Sequence, residues 1–305
     1  MLIQEMITFF QQLLNGLTLG STYALIALGY TMVYGILEII NFAHGEIYMF
    51  GAFVGMFLIR SGVPFILAFL MAMAASALLG ITIERIAYRP LRTSPRITAL
   101  ISAIGMSILL QNLAILLLGP QTQAFPKPFA VSVFKIAELP GYPNALTVQI
   151  NSLQIFIMLI SCSLMLGLHF LVQKTKIGKA MRATAQDKET SSLMGINVNN
   201  VISVTFAIGS SLGAAAGILI GIYFNAVYPT MGAMPGLKGF VAAVMGGIGN
   251  IPGAMVGGML LGLMEVFGAA YISSSLKDAI AFSVLIIILL LRPAGLLGKN
   301  VQEKV

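Results

Sequence analysis

Tryptophan is absent from this 305-residue chain, cysteine occurs once, histidine twice, and only 9% of the residues are charged. The lone Cys162 sits in an apolar run, which excludes a disulfide framework and a thiolate metal cluster. His44 and His169 lie too far apart to suggest paired metal ligands. With 58% hydrophobic residues and so few charges, no soluble domain of this length could cover its apolar surface, so lipid must be the solvent. Interfacial anchoring then falls to Tyr, Lys and Arg. A basic leader is missing too: the first charge is Glu5 and no A-x-A site follows, so no cleavable signal peptide is expected. Nucleotide loops are likewise absent. Gly178-Lys179 lacks the upstream Gly and following Ser or Thr of a phosphate-binding loop, and Gly247-Ile248-Gly249 lacks the flanking strand. No cofactor site is expected in this chain, and any ATP chemistry must belong to another one.

What is present is a set of long apolar runs punctuated by basic loops. The net charge of +7 could suggest nucleic acid, but the cations stand at the ends of apolar runs, which points to membrane orientation instead. The loop with Arg85, Arg89, Arg92 and Arg96, the loop from Lys174 to Lys188, and the tail with Arg292, Lys299 and Lys304 all read as cytoplasmic. Crossings follow near 9–30, 41–59, 63–83, 97–118, 151–172, 201–222 and 279–291. Residues 6–37 are charge-free and exceed one span of ~20 residues, so a first span plus a short extra helical piece is expected. The N-terminus falls outside and the C-terminus in the cytoplasm of a bacterial inner membrane protein. Residues 235–270 are Gly-rich, and parity demands that they begin and end outside. A broken pair of half-helices, or a short span followed by a full one, satisfies this, with Gly246, Gly247, Gly249, Pro252 and Gly253 forming an interior break near the pathway or a subunit interface. The fold class is therefore all-α: one polytopic domain over 1–305 with about eight spans. Leu19-Gly20-Ser21 and Ile208-Gly209-Ser210 form a faint echo of an internal duplication.

A few polar groups interrupt the apolar runs. Asn41, His44 and Glu46 stand at the start of the second span. Asn41 can cap that helix with Glu46 in its favourable first turn near the cytoplasmic edge, or the carboxylate can serve the pathway. Glu265 is a lone carboxylate deep in an apolar run, so it is paired structurally or lines a polar cavity. Gln111 and Asn112 fit interhelical hydrogen bonds better than substrate contacts. Small-xxx-small pairs such as Gly51/Gly55 and Gly213/Gly217 indicate close helix packing and carry no substrate information.

The largest polar block spans 173–199. Asp187 and Glu189 occupy the first turn of a short helix, Gly195 its C-terminal stop, and Ser191, Ser192, Leu193 and Met194 lie between. Such a helix could dock in a groove of a soluble partner; the plainer alternative is a solvated charged loop.

At these residues the chain resembles the permease subunits of branched-chain amino acid ABC importers, the LivH/LivM permease family. The likeness rests on the stretches 20–29 (GSTYALIALG), 40–45 (INFAHG), 178–187 (GKAMRATAQD) running to Met194-Gly-Ile-Asn197, 246–254 (GGIGNIPGA) and 292–298 (RPAGLLG), in this order across essentially the whole chain. The resemblance implies a transport subunit that is not itself an enzyme. It implies a heterodimer with a second related permease, two cytoplasmic ATPase subunits holding ATP and Mg, and a periplasmic substrate-binding protein delivering leucine, isoleucine or valine. It also makes Asp187, Lys188, Glu189, Thr190, Ser191, Leu193, Met194 and Gly195 the coupling helix against an ATPase. The loop reads Glu189-Thr-Ser-Ser where many other importers carry Glu-Ala-Ala. Relatives that carry urea, short amides or other amino acids leave the substrate open. A passive small-solute channel is the rival reading, since broken Gly-rich helices and few charges also suit a pore. A membrane enzyme would need clustered His, Asp, Glu or Cys, which His44, Glu46 and Glu265 do not supply.

Overall fold

The computed structural model describes residues 2–92, 94–138 and 147–298; Lys299 and Lys304 lie outside the described residues. Eleven α-helices, one π-helical turn, two short 3-10 turns and one two-stranded hairpin account for the regular structure among them. Two long helices, α1 (Leu2–Leu37) and α8 (Val198–Phe224), form the buried centre. Around them stand α2 (His44–Arg60), α3 (Phe65–Ile83), α4 (Arg96–Leu118), α5 (Ser152–Lys174), α9 (Ala233–Gly246), α10 (Ile251–Tyr271) and α11 (Lys277–Leu291). The short α6 (Lys176–Gln186) and α7 (Lys188–Leu193) make up the polar loop.

The bundle has two distinguishable ends. At the hairpin end, β1 (Val133–Glu138) pairs antiparallel with β2 (Thr147–Asn151), and Arg60 donates to Gln123 Oε1 at 2.9 Å. At the loop end, α6 and α7 lie with the Arg-rich turn after α3, where Arg92 donates to Asn199 Oδ1 at 2.6 Å and Arg96 pairs with Glu38 at 2.5 Å.

The first helix departs from the sequence expectation. It is one unbroken helix of 36 residues, about 54 Å long, with no separate extra piece. No proline interrupts residues 2–37, so nothing ends the backbone ladder. The surplus length projects at the hairpin end, where Gln149 N–H donates to Gln11 Oε1 and Gln154 Nε2 to Asn15 Oδ1.

Seven helices among the described residues are long and apolar enough to cross a membrane. The 17-residue α2 and the 14-residue α9, about 26 and 21 Å long, are shorter, and each crosses together with the irregular segment before it. The all-α polytopic architecture holds, and the expected span count of about eight comes out as seven full-length helices and two shorter ones among the described residues. Large apolar side chains such as Leu116, Leu117, Leu290 and Ile66 are exposed on the outer helices, as lipid or a membrane partner requires.

Both α2 and α9 begin inside the bundle. His44 packs against Gly29 of α1 and Gly213 near the middle of α8, so α2 starts at mid-depth. Gly232, just before α9, meets Gly45 so closely that a Cβ on either would strike the other's carbonyl. Only glycine permits this approach of two backbones. From that meeting point α2 runs to the hairpin end and α9 to the loop end. The order long buried helix, reversal, half-depth start, apolar helix thus occurs twice, α1–α2–α3 and α8–α9–α10, in opposite directions. This order is that of an inverted repeat.

The Gly-rich break differs from the expectation in its place. Gly246 ends α9, Gly247 and Gly249 adopt φ of +105° and +89°, Asn250 caps α10, and Pro252 sits in the first turn. Gly246 and Gly253 face each other across the turn. Yet the turn lies at the loop end instead of at depth. The terminal segment folds beneath it: Leu296 N–H donates to Met245 O at 2.9 Å, Leu297 N–H to Gly246 O at 3.0 Å, and Asn250 Nδ2 to Leu297 O at 2.6 Å. The irregular backbone at depth is at residues 38–43 and 225–232, where the half-depth helices start.

Candidate functional site

Three polar constellations stand out. The first surrounds Glu46. Its helix begins without a side-chain cap, because Asn41 is engaged elsewhere: Tyr88 OH donates to Asn41 Oδ1 at 2.9 Å. Asn41 therefore does not cap α2, and Glu46 is not at a membrane edge. The carboxylate is 3% exposed and accepts from Ser107 Oγ, in the middle of α4, at 3.2 Å. It borders a cavity of about 290 Å³ between α2, α4 and α9. Phe42, Ile108, Leu237 and Phe240 supply an apolar wall, and Gln111 and Tyr30 add polar atoms. His44 turns the other way, its ring 4.8 Å from that of Tyr30 and against Gly29. Asn112 does not bridge helices; it donates to Ile108 O of its own helix at 2.8 Å from the exposed face.

The second is a buried charge cluster. Glu265 on α10 accepts from Lys238 Nζ of α9 at 2.7 Å and from Tyr23 OH of α1 at 2.9 Å. Asp278, at the start of α11, lies 2.6 Å from the same Lys238 Nζ. Glu265 is thus structurally paired, and its partners are separate from those of Glu46. Lys238 escaped the sequence reading, although one cation inside an apolar run containing one carboxylate is a legible pairing signal. Glu84 escaped it as well. Buried in the π-helical turn after α3, it pairs with Arg92 and accepts from Ser203 Oγ at 2.6 Å.

The third is the loop. Thr175 caps α6 by accepting from Gly178 N–H, and Arg182 ties it to Val172 O. Asp187 then caps α7, accepting from Glu189 N–H at 2.9 Å, Thr190 N–H at 3.0 Å and Thr190 Oγ1 at 2.6 Å. The Thr190 hydroxyl first, then these amides, hold the exposed Asp187 carboxyl below its usual pKa range. Gly195, with φ of +84°, ends the turn, and Ile196 N–H reaches back to Ser191 O. Lys188, Glu189 and Thr190 are exposed, and Ser191 is buried beneath them. Leu193 and Met194 stand 83% and 79% exposed at the tip. Exposed apolar side chains on a capped helix ringed by charge suit a protein groove.

Comparison with known proteins follows the same lines. A family model described as branched-chain amino acid transport system / permease component matches residues 12–289. The high-affinity branched-chain amino acid transport system permease protein LivH of Escherichia coli K12 is 44% identical, over 99% of both chains. The corresponding permease BraD of Pseudomonas aeruginosa is 45% identical, again over 99% of each. A probable branched-chain amino acid transport permease of Methanocaldococcus jannaschii is 26% identical over 90% of this chain and 88% of its own.

Proposed function

Because the chain belongs to the branched-chain amino acid transport permease family, we propose that it is the membrane-spanning subunit of an ATP-driven importer for leucine, isoleucine and valine. The observation that carries this reading is the 44% identity to a branched-chain amino acid permease along nearly the full length of both chains. The loop end faces the cytoplasm, with the C-terminus, and the hairpin end faces the periplasm with the N-terminus. A second related permease completes the pathway, two ATPase subunits hold ATP and Mg, and a periplasmic binding protein delivers the substrate.

Force enters through the coupling segment 187–195. An ATPase groove takes Leu193 and Met194, while the capped α7 transmits displacement through α6 and α8 as a rigid unit. The inverted repeat supplies the moving parts, since two half-depth helices meeting at mid-depth can rock about that point. A passive channel gives the capped loop and its exposed apolar tip no task.

Purification in mild detergent tests the reading. Two P-loop ATPases and a second permease should accompany this chain, and Leu193→Asp combined with Met194→Asp should release the ATPases. A homo-oligomer without ATPases would overturn it.

A further inference from the structure

Among the described residues three carboxylates are buried in the bundle, and two of them have cations: Glu84 has Arg92, and Glu265 has Lys238. Glu46 has none among the described residues. One oxygen accepts from Ser107, while Oε2 is buried without a partner. A lone carboxylate at this depth costs free energy, partly offset by its place in the first turn of α2. A mobile cation could complete the arrangement.

The rest of the cavity limits which cation fits. Its volume of about 290 Å³ sits at the small end of ligand pockets, roughly 300 Å³. The 14-residue α9 starts at it through Gly232, Ala233 and Gly236; the Ala233 and Gly236 amides donate to Thr230 O and Gly232 O and Pro235 has no N–H, so the helix dipole, not free amides, favours an anion there. Phe42, Ile104, Ile108, Leu237 and Phe240 give the remaining surface an aliphatic and aromatic character. An unpaired carboxylate, an anion-favouring helix start and an apolar wall within one small space match an ammonium, a carboxylate and a branched alkyl chain.

We propose that the Glu46 cavity is a transient subsite for a zwitterionic branched-chain amino acid in passage: the Glu46 carboxylate takes the α-ammonium, the start of α9 the α-carboxylate, and the apolar wall the side chain. The assignment rests on the importer reading and adds a place within the chain where the substrate is checked.

The test uses the assembled importer in proteoliposomes, with Cys162→Ser removing the native thiol and Gln111→Cys placing one in the cavity. A thiol reagent labels that cysteine with and without leucine. Leucine is expected to slow labelling, 4-methylpentanoate (which lacks the ammonium) is not, and Glu46→Gln should raise the leucine concentration for half-protection roughly tenfold or more. If Glu46→Gln fails to assemble, the leucine and 4-methylpentanoate comparison on the Glu46 protein decides. Labelling indifferent to leucine, or equal protection by 4-methylpentanoate, overturns the subsite. ATP-driven leucine uptake by the same vesicles separates the two readings. Uptake without protection sinks the subsite alone, whereas neither uptake nor copurified ATPase sinks the importer and the subsite with it.

Discussion

Lys238 Nζ lies 2.7 Å from Glu265 Oε1, joining the partial-depth helix α9 to the full-length α10 inside the bundle. Asp278 binds the same ammonium from α11, so one cation ties three helices together. Such a cluster fixes the first half of α9 against its neighbours.

Lys238→Ala leaves Glu265 and Asp278 without their buried cation, with only the half-exposed Lys277, 4.0 Å from Glu265 Oε1, nearby. Breaking a buried pair in this way costs about 3–5 kcal/mol. The thermal midpoint in detergent should fall sharply. Lys238→Met with Glu265→Leu should recover much of the loss, because the desolvated charge is removed along with its partner.

Gly45→Val places a Cβ against the Gly232 carbonyl. Backbone cannot rotate away as a side chain can, and overpacking of this kind costs about 1–3 kcal/mol. The purified yield and thermal midpoint should both drop. Gly105→Ala on α4 is the control: a Cβ there meets nothing within 4 Å, and alanine is the better helix former by about 1 kcal/mol.

Gly195→Val is a backbone effect. The position has open space around it, but its φ of +84° is costly for a β-branched residue. The strain of about 1–2 kcal/mol falls on the end of α7. Membrane insertion should be normal and ATP-dependent leucine uptake abolished. Gly195→Asn, which tolerates this conformation, should retain part of the uptake. Normal uptake in the valine variant would remove 187–195 from the coupling role.

The Asp187 cap has a defined pH dependence. Its pKa in the folded protein is lowered by the Thr190 hydroxyl and the amides of Thr190 and Glu189. The stabilisation is therefore fully present above the unfolded value, ~3.9, and fades only as pH falls through the lower folded one. Hydrogen-exchange protection of the Glu189 and Thr190 amides, corrected for intrinsic rates, should be flat between pH 8 and pH 5. A marked loss of protection within that range would contradict the cap.

Much of the fold could be read from residues alone, because apolar runs and basic loops report crossings directly. The capped α7 was legible for a similar reason: Asp187 and Gly195 act through local backbone geometry. Depth was not legible. Asn41, His44 and Glu46 look interfacial by their order, and only the re-entry of residues 38–43 carries them to mid-depth. The 246–253 turn was visible as a break, but its burial under 292–298 depends on contacts some 50 residues away in the chain. Lys238 showed a signal that went unread, since its proximity to Pro235 and Gly236 made it look like the start of a segment instead of half of a buried pair.

The most direct measurement is leucine accumulation in proteoliposomes that hold this chain with its copurified partners and enclose ATP on the loop side. With ATP and Mg present, leucine should concentrate inside well above its external level, and withholding ATP should stop it. Uptake that only equilibrates, with or without ATP, would make the protein a passive channel and contradict the importer assignment.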